Sequence, residues 1–408
     1  MNYDILFLGK LFPKKTENIY KEKMITGMQD AANAFEWNII DGLDSNNCGI
    51  IKILSYLPVD SYPNGYKDKI IKEEVFQHSS NYNSDDKVVE CNNYRIIKHF
   101  INYYPFKKEI DLWIKNKSNK KKIIISYTAS SMFLRLLKYA KKQDNSIQCI
   151  CIIADLPEFI SAKKETGIIK MYNSYESYKC KMLYKYVDKY VLLTKHMAKK
   201  LEIKSPFLVI EGISNTSKST DYLNYEDYIK NDYIFYSGTL NYSFGIMTLL
   251  KAFSLIKNKN VNLIICGYGE AEKDINEYMK FDSRIRFLGK LHREEVLYLQ
   301  RHAKILINPR QNSHEFTKYS FPSKNLEYLS SGAPLIAYKL DGIPDEYDHY
   351  IIYPKDNTIK ELTLTIERIL NMNDEERKKI GLKSKNFVTI NKNNVIQAKK
   401  ILDFINEN

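Results

Sequence analysis

Side chains equipped for chemistry gather between Asn308 and Ala337, where Arg310, Glu315, Lys318, Lys324 and Glu327 follow one another in one short stretch. The apolar run Lys304 to Asn308 reads as a strand, and the loop after it enters a helix at Pro322. Proline suits a first helical turn because its missing N–H has no acceptor to lose there. Gly332 suits the far cap, and Pro334 blocks continuation. The free N–H groups of Ser323 and Lys324, with the helix dipole behind them, form a seat for phosphate. Arg310, Lys318 and Lys324 can surround it with positive charge. Glu327, one turn into the helix, can accept hydrogen bonds from a sugar or ribose diol. Each residue alone fits an ordinary solvated charge. Together, at one strand–loop–helix junction, they point to a bound anion. A further acidic candidate, Asp155, follows a predicted strand; an Asx turn before Pro157 accounts for it equally well.

The elements that must position these groups alternate along the chain. Strands are expected at Asp4 to Leu8, Ile51 to Leu54, Lys122 to Tyr127, Ile147 to Ala154 and Tyr190 to Thr194, with helical patterns between them. Apolar strands alternating with helices predict a parallel sheet covered on both faces. His78 to Asn93, rich in Asn, Ser and Asp, reads as a surface loop. Ser214 to Asp232 reads as a linker. The alternation then restarts with strands at Tyr233 to Ser237, Val261 to Cys266, Arg284 to Leu288, Lys304 to Asn308, Pro334 to Tyr338 and Tyr350 to Tyr353. The prediction is α/β: two doubly wound Rossmann-like domains, residues 1–215 and 232–390, facing a cleft. A helix within 391–408 is expected to pack back toward the first domain. Ligands of open α/β sheets bind at the C-terminal ends of the strands.

Composition narrows the classes. The 408 residues carry 62 Lys+Arg against 49 Asp+Glu, a formal charge of +13. Only nine of the basic residues are arginine, which argues against a nucleic-acid reader dependent on bidentate base and phosphate contacts. Lys115, Lys117 and Lys120 to Lys122, with Tyr103, Tyr104, Phe106 and Trp113 upstream, fit either an anionic membrane surface or a solvated lysine face. Six cysteines show no Cys-x-x-Cys or zinc-type spacing and read as buried free thiols. The N-terminus runs straight into a strand without a cationic leader, so a cytoplasmic location is expected, with peripheral contact at the inner membrane face as an option.

The second half resembles the family 4 glycosyltransferases of the GT-B fold, the group 1 glycosyl transferases of bacterial surface polysaccharide synthesis. The matching pieces, in the family's order, begin with Phe235-Tyr236-Ser237-Gly238-Thr239-Leu240 and Leu249-Leu250-Lys251-Ala252-Phe253. Next come Leu263-Ile264-Ile265-Cys266-Gly267-Tyr268-Gly269-Glu270, Arg286-Phe287-Leu288-Gly289, and the block from Phe321 through Glu327 to Gly332. The resemblance implies that Glu327 holds the ribose of a nucleotide. Gly267 to Glu270, with Gly269, and the Phe287-Leu288-Gly289 turn would cradle the base, while Gly238 would lie against the diphosphate. Gly9 resembles the first domain's glycine loop facing the same diphosphate.

There are departures. Tyr319 stands where the first signature glutamate is expected, which makes Glu315 the acidic substitute. Thr239 and Phe244 occupy places where the family has phosphate-gripping cations, so Arg310, Lys318 or Lys324 is expected to supply the charge. The resemblance implies a retaining, metal-independent transfer from a nucleotide diphosphate sugar, UDP favoured, to a hydroxyl of a glycan or lipid-linked glycan in cell-surface polysaccharide synthesis. Neither a cofactor nor a metal is expected, and no Asp-x-Asp triplet is present. A nucleotide-sugar 2-epimerase and an inactive GT-B relative are the alternatives.

Overall fold

Both stretches of alternating pattern fold as parallel sheets in the computed structural model, which describes residues 3–26, 30–95, 97–116, 118–156, 167–214, 232–313 and 315–407. The chain divides into two units, Met1–Ile213 with Asn394–Asn408, and Ser214–Asn393. The linker expected at Ser214 to Asp232 lies, beyond its two ends, outside the described residues.

The first unit contains strands β1 (Tyr3–Gly9), β2 (Gly49–Ser55), β3 (Ile70–Ile71), β4 (Glu74–Phe76), β5 (Asp86–Val88), β6 (Cys91–Asn92), β7 (Lys121–Tyr127), β8 (Gln148–Ile153), β9 (Lys189–Leu192) and β10 (Phe207–Val209). Among the described residues the sheet order is β10-β9-β8-β7-β1-β2-β5-β4, with β3 and β6 paired apart. Only β4 runs antiparallel in the large sheet. β1 is buried along its whole length, as a central parallel strand covered on both faces must be. The helices are α1 (Glu17–Lys21), α2 (Asp30–Ser45), α3 (Lys98–Ile101), α4 (Tyr103–Lys115), α5 (Ser131–Gln143), α6 (Ile168–Leu183) and α7 (Lys195–Lys200).

One expectation fails here and another is narrowed, because polar side chains took internal partners. His78 to Asn93 is not a simple surface loop, since it contains β5 and β6. His78 Nδ1 lies 2.6 Å from Asp86, whose other oxygen accepts the Ile53 amide at 2.8 Å. Part of the expected lysine–aromatic patch is structural too, while Tyr104, Lys115 and Lys121 stay exposed. Phe106 and Trp113 are buried, and the Lys122 ammonium caps α4 by donating to the carbonyls of Trp113, Ile114 and Asn116. Lys117 lies outside the described residues.

The second unit contains β11 (Asp232–Thr239), β12 (Val261–Tyr268), β13 (Ile285–Phe287), β14 (Ile305–Asn308) and β15 (Leu335–Ala337), all parallel, in the order β13-β12-β11-β14-β15 among the described residues. Helices α8 (Ile246–Ser254), α9 (Glu272–Phe281) and α12 (Ile359–Leu370) share a core with one sheet face through Leu249, Phe253, Ile275, Leu362 and Ile366. The other face packs α10 (Arg293–His302), α11 (Ser323–Ser331) and α13 (Asp374–Asn391) through Leu299, Leu326, Leu329 and Phe387. The strand expected at Tyr350 to Tyr353 is reduced to one bridge, Ile336 to Ile352, because Pro354 follows without an N–H to extend it.

The last helix, α14 (Asn394–Asn406), belongs to the first unit. Its Ala398, Ile401, Leu402 and Ile405 join the core that holds Trp37 and Ile40 of α2. A Cβ at Gly42 would stand 2.2 Å from the Asn394 carbonyl oxygen, so the backbones touch only because residue 42 is glycine. The buried Lys189 ammonium closes the far end by donating to the Phe404 and Glu407 carbonyls. Among the described residues no helix is long and apolar enough to cross a membrane.

Candidate functional site

In the second sheet, β11 leads through α8 to β12 on one side, while β14 leads through α11 to β15 on the other. The strand order therefore reverses between β11 and β14, and their C-terminal ends flank the crevice where such sheets bind ligands. Gly238 and Thr239 close β11; Asn308 and Arg310 lie at the end of β14.

The α11 N-terminus is pinned to both ends. Tyr328, fully buried, accepts the Ser237 amide at 2.8 Å and donates to the Ser237 carbonyl at 3.1 Å. Asn308 Nδ2 donates to Asn325 Oδ1 at 2.7 Å. Pro322 occupies the N-cap rather than the first turn, and the helix begins at Ser323. The amides of Ser323 and Lys324 thus have no intrahelical acceptor.

Lys324 folds back over the end of β11. A Cβ at Gly238 would stand 3.0 Å from its Cε and 3.3 Å from its Nζ, so glycine there makes room for the ammonium. Lys324 has no ion pair among the described residues. Burial pulls its pKa down, with the Glu327 charge opposing. Arg310 likewise has no carboxylate partner: its Nη2 donates to Ser320 Oγ at 3.0 Å, and its Nε is buried without an acceptor. Burial pushes the guanidinium pKa down to about 10. Asn325 Nδ2 is a second buried donor without an acceptor. Donors exceed acceptors at this junction, as an anion seat requires.

Glu327 is already engaged. Gln300 Nε2 donates to it at 2.6 Å, and Arg293 Nη1 lies 3.3 Å away. The carboxylate remains 24% exposed and can exchange the surface arginine for a diol. Gln300, fully buried on α10, also reaches Ser237 Oγ at 3.4 Å and so spans β11 and α11. Sequence reading missed it; the available signal was a glutamine four residues after Val296 on the apolar face of a helix.

The expected base cradle forms one contiguous set of turns. Gly267 pairs with Gly238 in register, and a Cβ on Gly267 would stand 1.8 Å from the Gly238 oxygen. The Gly267 amide donates to the Gly289 carbonyl, Leu288 to Ile265, and Gly269 to Glu272 Oε1 at 2.8 Å. Phe287 ends β13 beside them. On the loop before α11, Glu315 is exposed and accepts the Tyr319 hydroxyl at 3.1 Å. Lys318, exposed, lies 3.8 Å from Asp341.

The remaining candidates stand in the first unit. Gly9 ends β1, and a Cβ there would meet Glu36 Oε2 at 2.9 Å. Glu36, unremarked in the sequence, is fully buried and accepts the Lys10 amide at 2.8 Å. Burial lifts its pKa well above the carboxylate range. This glycine is accordingly explained by internal packing, whatever else faces it. Asp155 follows β8 and is exposed at its end. Its neighbours 157–166 lie outside the described residues.

The family model "Glycosyl transferases group 1" matches residues 225–387. Those residues, the greater part of the second unit, are similar to that family. The chain is a glycosyltransferase. Among curated proteins none matches the sequence significantly. Sucrose-phosphate synthase from Thermosynechococcus elongatus is similar in structure, with TM-score 0.64 at 14% identity over 98% of each chain. Anabaena HepE in complex with UDP gives 0.62 at 12% identity over 99% of each. The Escherichia coli trehalose-6-phosphate protein bound with UDP-2-fluoro glucose gives 0.62 at 11% identity, covering 99% of this glycosyltransferase and 100% of that chain. The fold is of the GT-B class.

Proposed function

We propose that this glycosyltransferase moves a sugar, with retention, from a nucleotide diphosphate sugar to a hydroxyl of a glycan or lipid-linked glycan. One observation carries the reading: Lys324, half-buried and without an ion pair among the described residues, lies over Gly238 beside the first amides of α11. As the anomeric bond breaks, charge grows on the departing diphosphate, and fixed donors already aimed there lower the barrier without reorganising. The leaving phosphate takes the acceptor proton. Glu327 takes the ribose diol, and Glu315 serves sugar hydroxyls in place of the glutamate missing at Tyr319. UDP is the favoured nucleotide, since the similar HepE structure holds UDP.

The second unit is assigned to the donor and the first, with Asp155, to the acceptor. A cytoplasmic enzyme of cell-surface polysaccharide assembly fits this reading. Peripheral contact with anionic lipid would fall on α6, whose exposed Met171, Tyr175, Tyr178 and Met182 line one helical face.

Thermal unfolding in the presence of UDP, GDP and ADP sugars tests the donor assignment. One nucleotide sugar is expected to raise the midpoint and to release nucleoside diphosphate slowly. Lys324→Ala should lose that shift, and transfer should fall by about 10²-fold or more. Wild-type protein indifferent to the whole panel, or a Lys324→Ala variant with unchanged turnover, would remove the proposal.

A further inference from the structure

Arg310 differs from Arg284, Arg377 and Lys392, buried basic side chains that each hold a carboxylate. Arg284 is held by Asp282, Arg377 by Asp374 and Lys392 by Glu346. Arg310 instead lies between two aromatic rings, its guanidinium carbon 5.2 Å from the Phe244 centroid and 4.5 Å from that of Phe316. Phe244 belongs to the β11–α8 loop and Phe316 to the β14–α11 loop, so the cation joins both sides of the crevice. The Phe244 side is fixed by its neighbour: a Cβ on Gly245 would stand 2.0 Å from the Pro309 carbonyl oxygen, and only glycine, at φ +82°, permits that contact. On the other side, Ser320 Oγ accepts from Nη2 and itself donates to the Phe316 carbonyl at 3.2 Å.

Stacked rings hold a guanidinium plane without using its N–H donors, which lie in that plane. A carboxylate partner would consume them. Lys324, over Gly238, also lacks an ion pair among the described residues. Tyr236 links the two, since its hydroxyl stands 3.3 Å from the Gly238 Cβ point and its ring lies within the field of Arg310.

We infer that Phe244 and Phe316 are positioning residues that hold the Arg310 donor edge for the second phosphoryl group of the donor's diphosphate, the first resting on α11 and Lys324. Phe244, at a place where a phosphate-gripping cation was expected, thereby restores the grip through another residue. This inference rests on the nucleotide-sugar reading of the site. It adds a discrimination that reading lacks: two phosphoryl groups engage both cations, one engages Lys324 alone.

Titration calorimetry of the full chain with UDP, UMP and inorganic pyrophosphate tests it. Arg310→Gln is expected to weaken UDP and pyrophosphate by about tenfold or more while changing UMP less than about threefold. Phe244→Leu should lower the UDP-to-UMP affinity ratio in the same direction, and Phe244→Tyr, which keeps a ring, should restore it. A loop-packing role would lower the melting temperature without moving that ratio. Equal losses for UDP and UMP, or UDP binding unchanged in Arg310→Gln, would overturn the inference and leave the donor reading standing. Wild-type protein that binds pyrophosphate through Arg310 but no nucleotide would overturn the donor reading, and the inference with it.

Discussion

His78 illustrates how far a single side chain can be committed to structure. It is nearly inaccessible and lies between Asp86, at 2.6 Å, and Asp44, at 3.4 Å. Burial alone would lower its pKa, but hydrogen bonds and charge from both aspartates outweigh that and raise it to about 9. A raised histidine pKa stabilises the fold fully below its unfolded value and ceases to do so as pH climbs through the folded one. Thermal midpoints should therefore decline between about pH 6.5 and 9, by up to ~3 kcal/mol of stability. His78→Gln should be less stable at pH 6 and flatter across that window. Parallel pH profiles for the two proteins would show the cluster to be inert. Arg284 and Arg377 have carboxylates, while Arg310 and Lys324, the cations proposed for the diphosphate, have none among the described residues.

At the scale of elements, the glycines of the second sheet divide by what surrounds them. Gly267 has φ +140°, and a Cβ there would run into the neighbouring strand at Gly238. Gly289 has φ +65° with open space around it. Gly267→Ala should cost upward of about 3 kcal/mol, Gly289→Ala only about 1–2. Urea midpoints for the two variants decide this; equal losses would mean that strand spacing at Gly267 is adjustable. Such distinctions mark the limit of what was legible in the sequence. The spans of β1, β7 and β8 follow from apolar periodicity to within a residue at each end. Arg310, Lys324 and Glu327 were identifiable by their place at the end of a strand or the start of a helix. Gln300, Tyr328 and Glu36 were not, because a buried polar residue has the same local pattern as a core position until its partner, far along the chain, is known. His78 to Asn93 misled for the converse reason: its polar residues bond one another and a strand edge rather than water.

For the molecule as a whole, the return of the chain end to the first unit has an energetic meaning. α14 contributes Ala398, Ile401, Leu402 and Ile405 to that core, and burying a large aliphatic side chain is worth about 1.5–3 kcal/mol. Their sum is comparable with the net stability of an ordinary domain. Truncation after residue 393 should therefore unfold the first unit and leave the second protected. Limited proteolysis read by mass spectrometry would detect this as selective loss of residues before 214. Survival of both units would show that α14 is an accessory rather than part of the core.

The six cysteines are all free and buried, five of them in the first unit and Cys266 alone in the second. Burial also pushes thiols such as Cys149 and Cys266 up to about 12, away from their reactive anionic form. While folded, the enzyme is thus doubly silent toward alkylating reagents. Timed maleimide pulses would convert that silence into a two-channel clock, in which five tags register one half opening and the sixth registers the other.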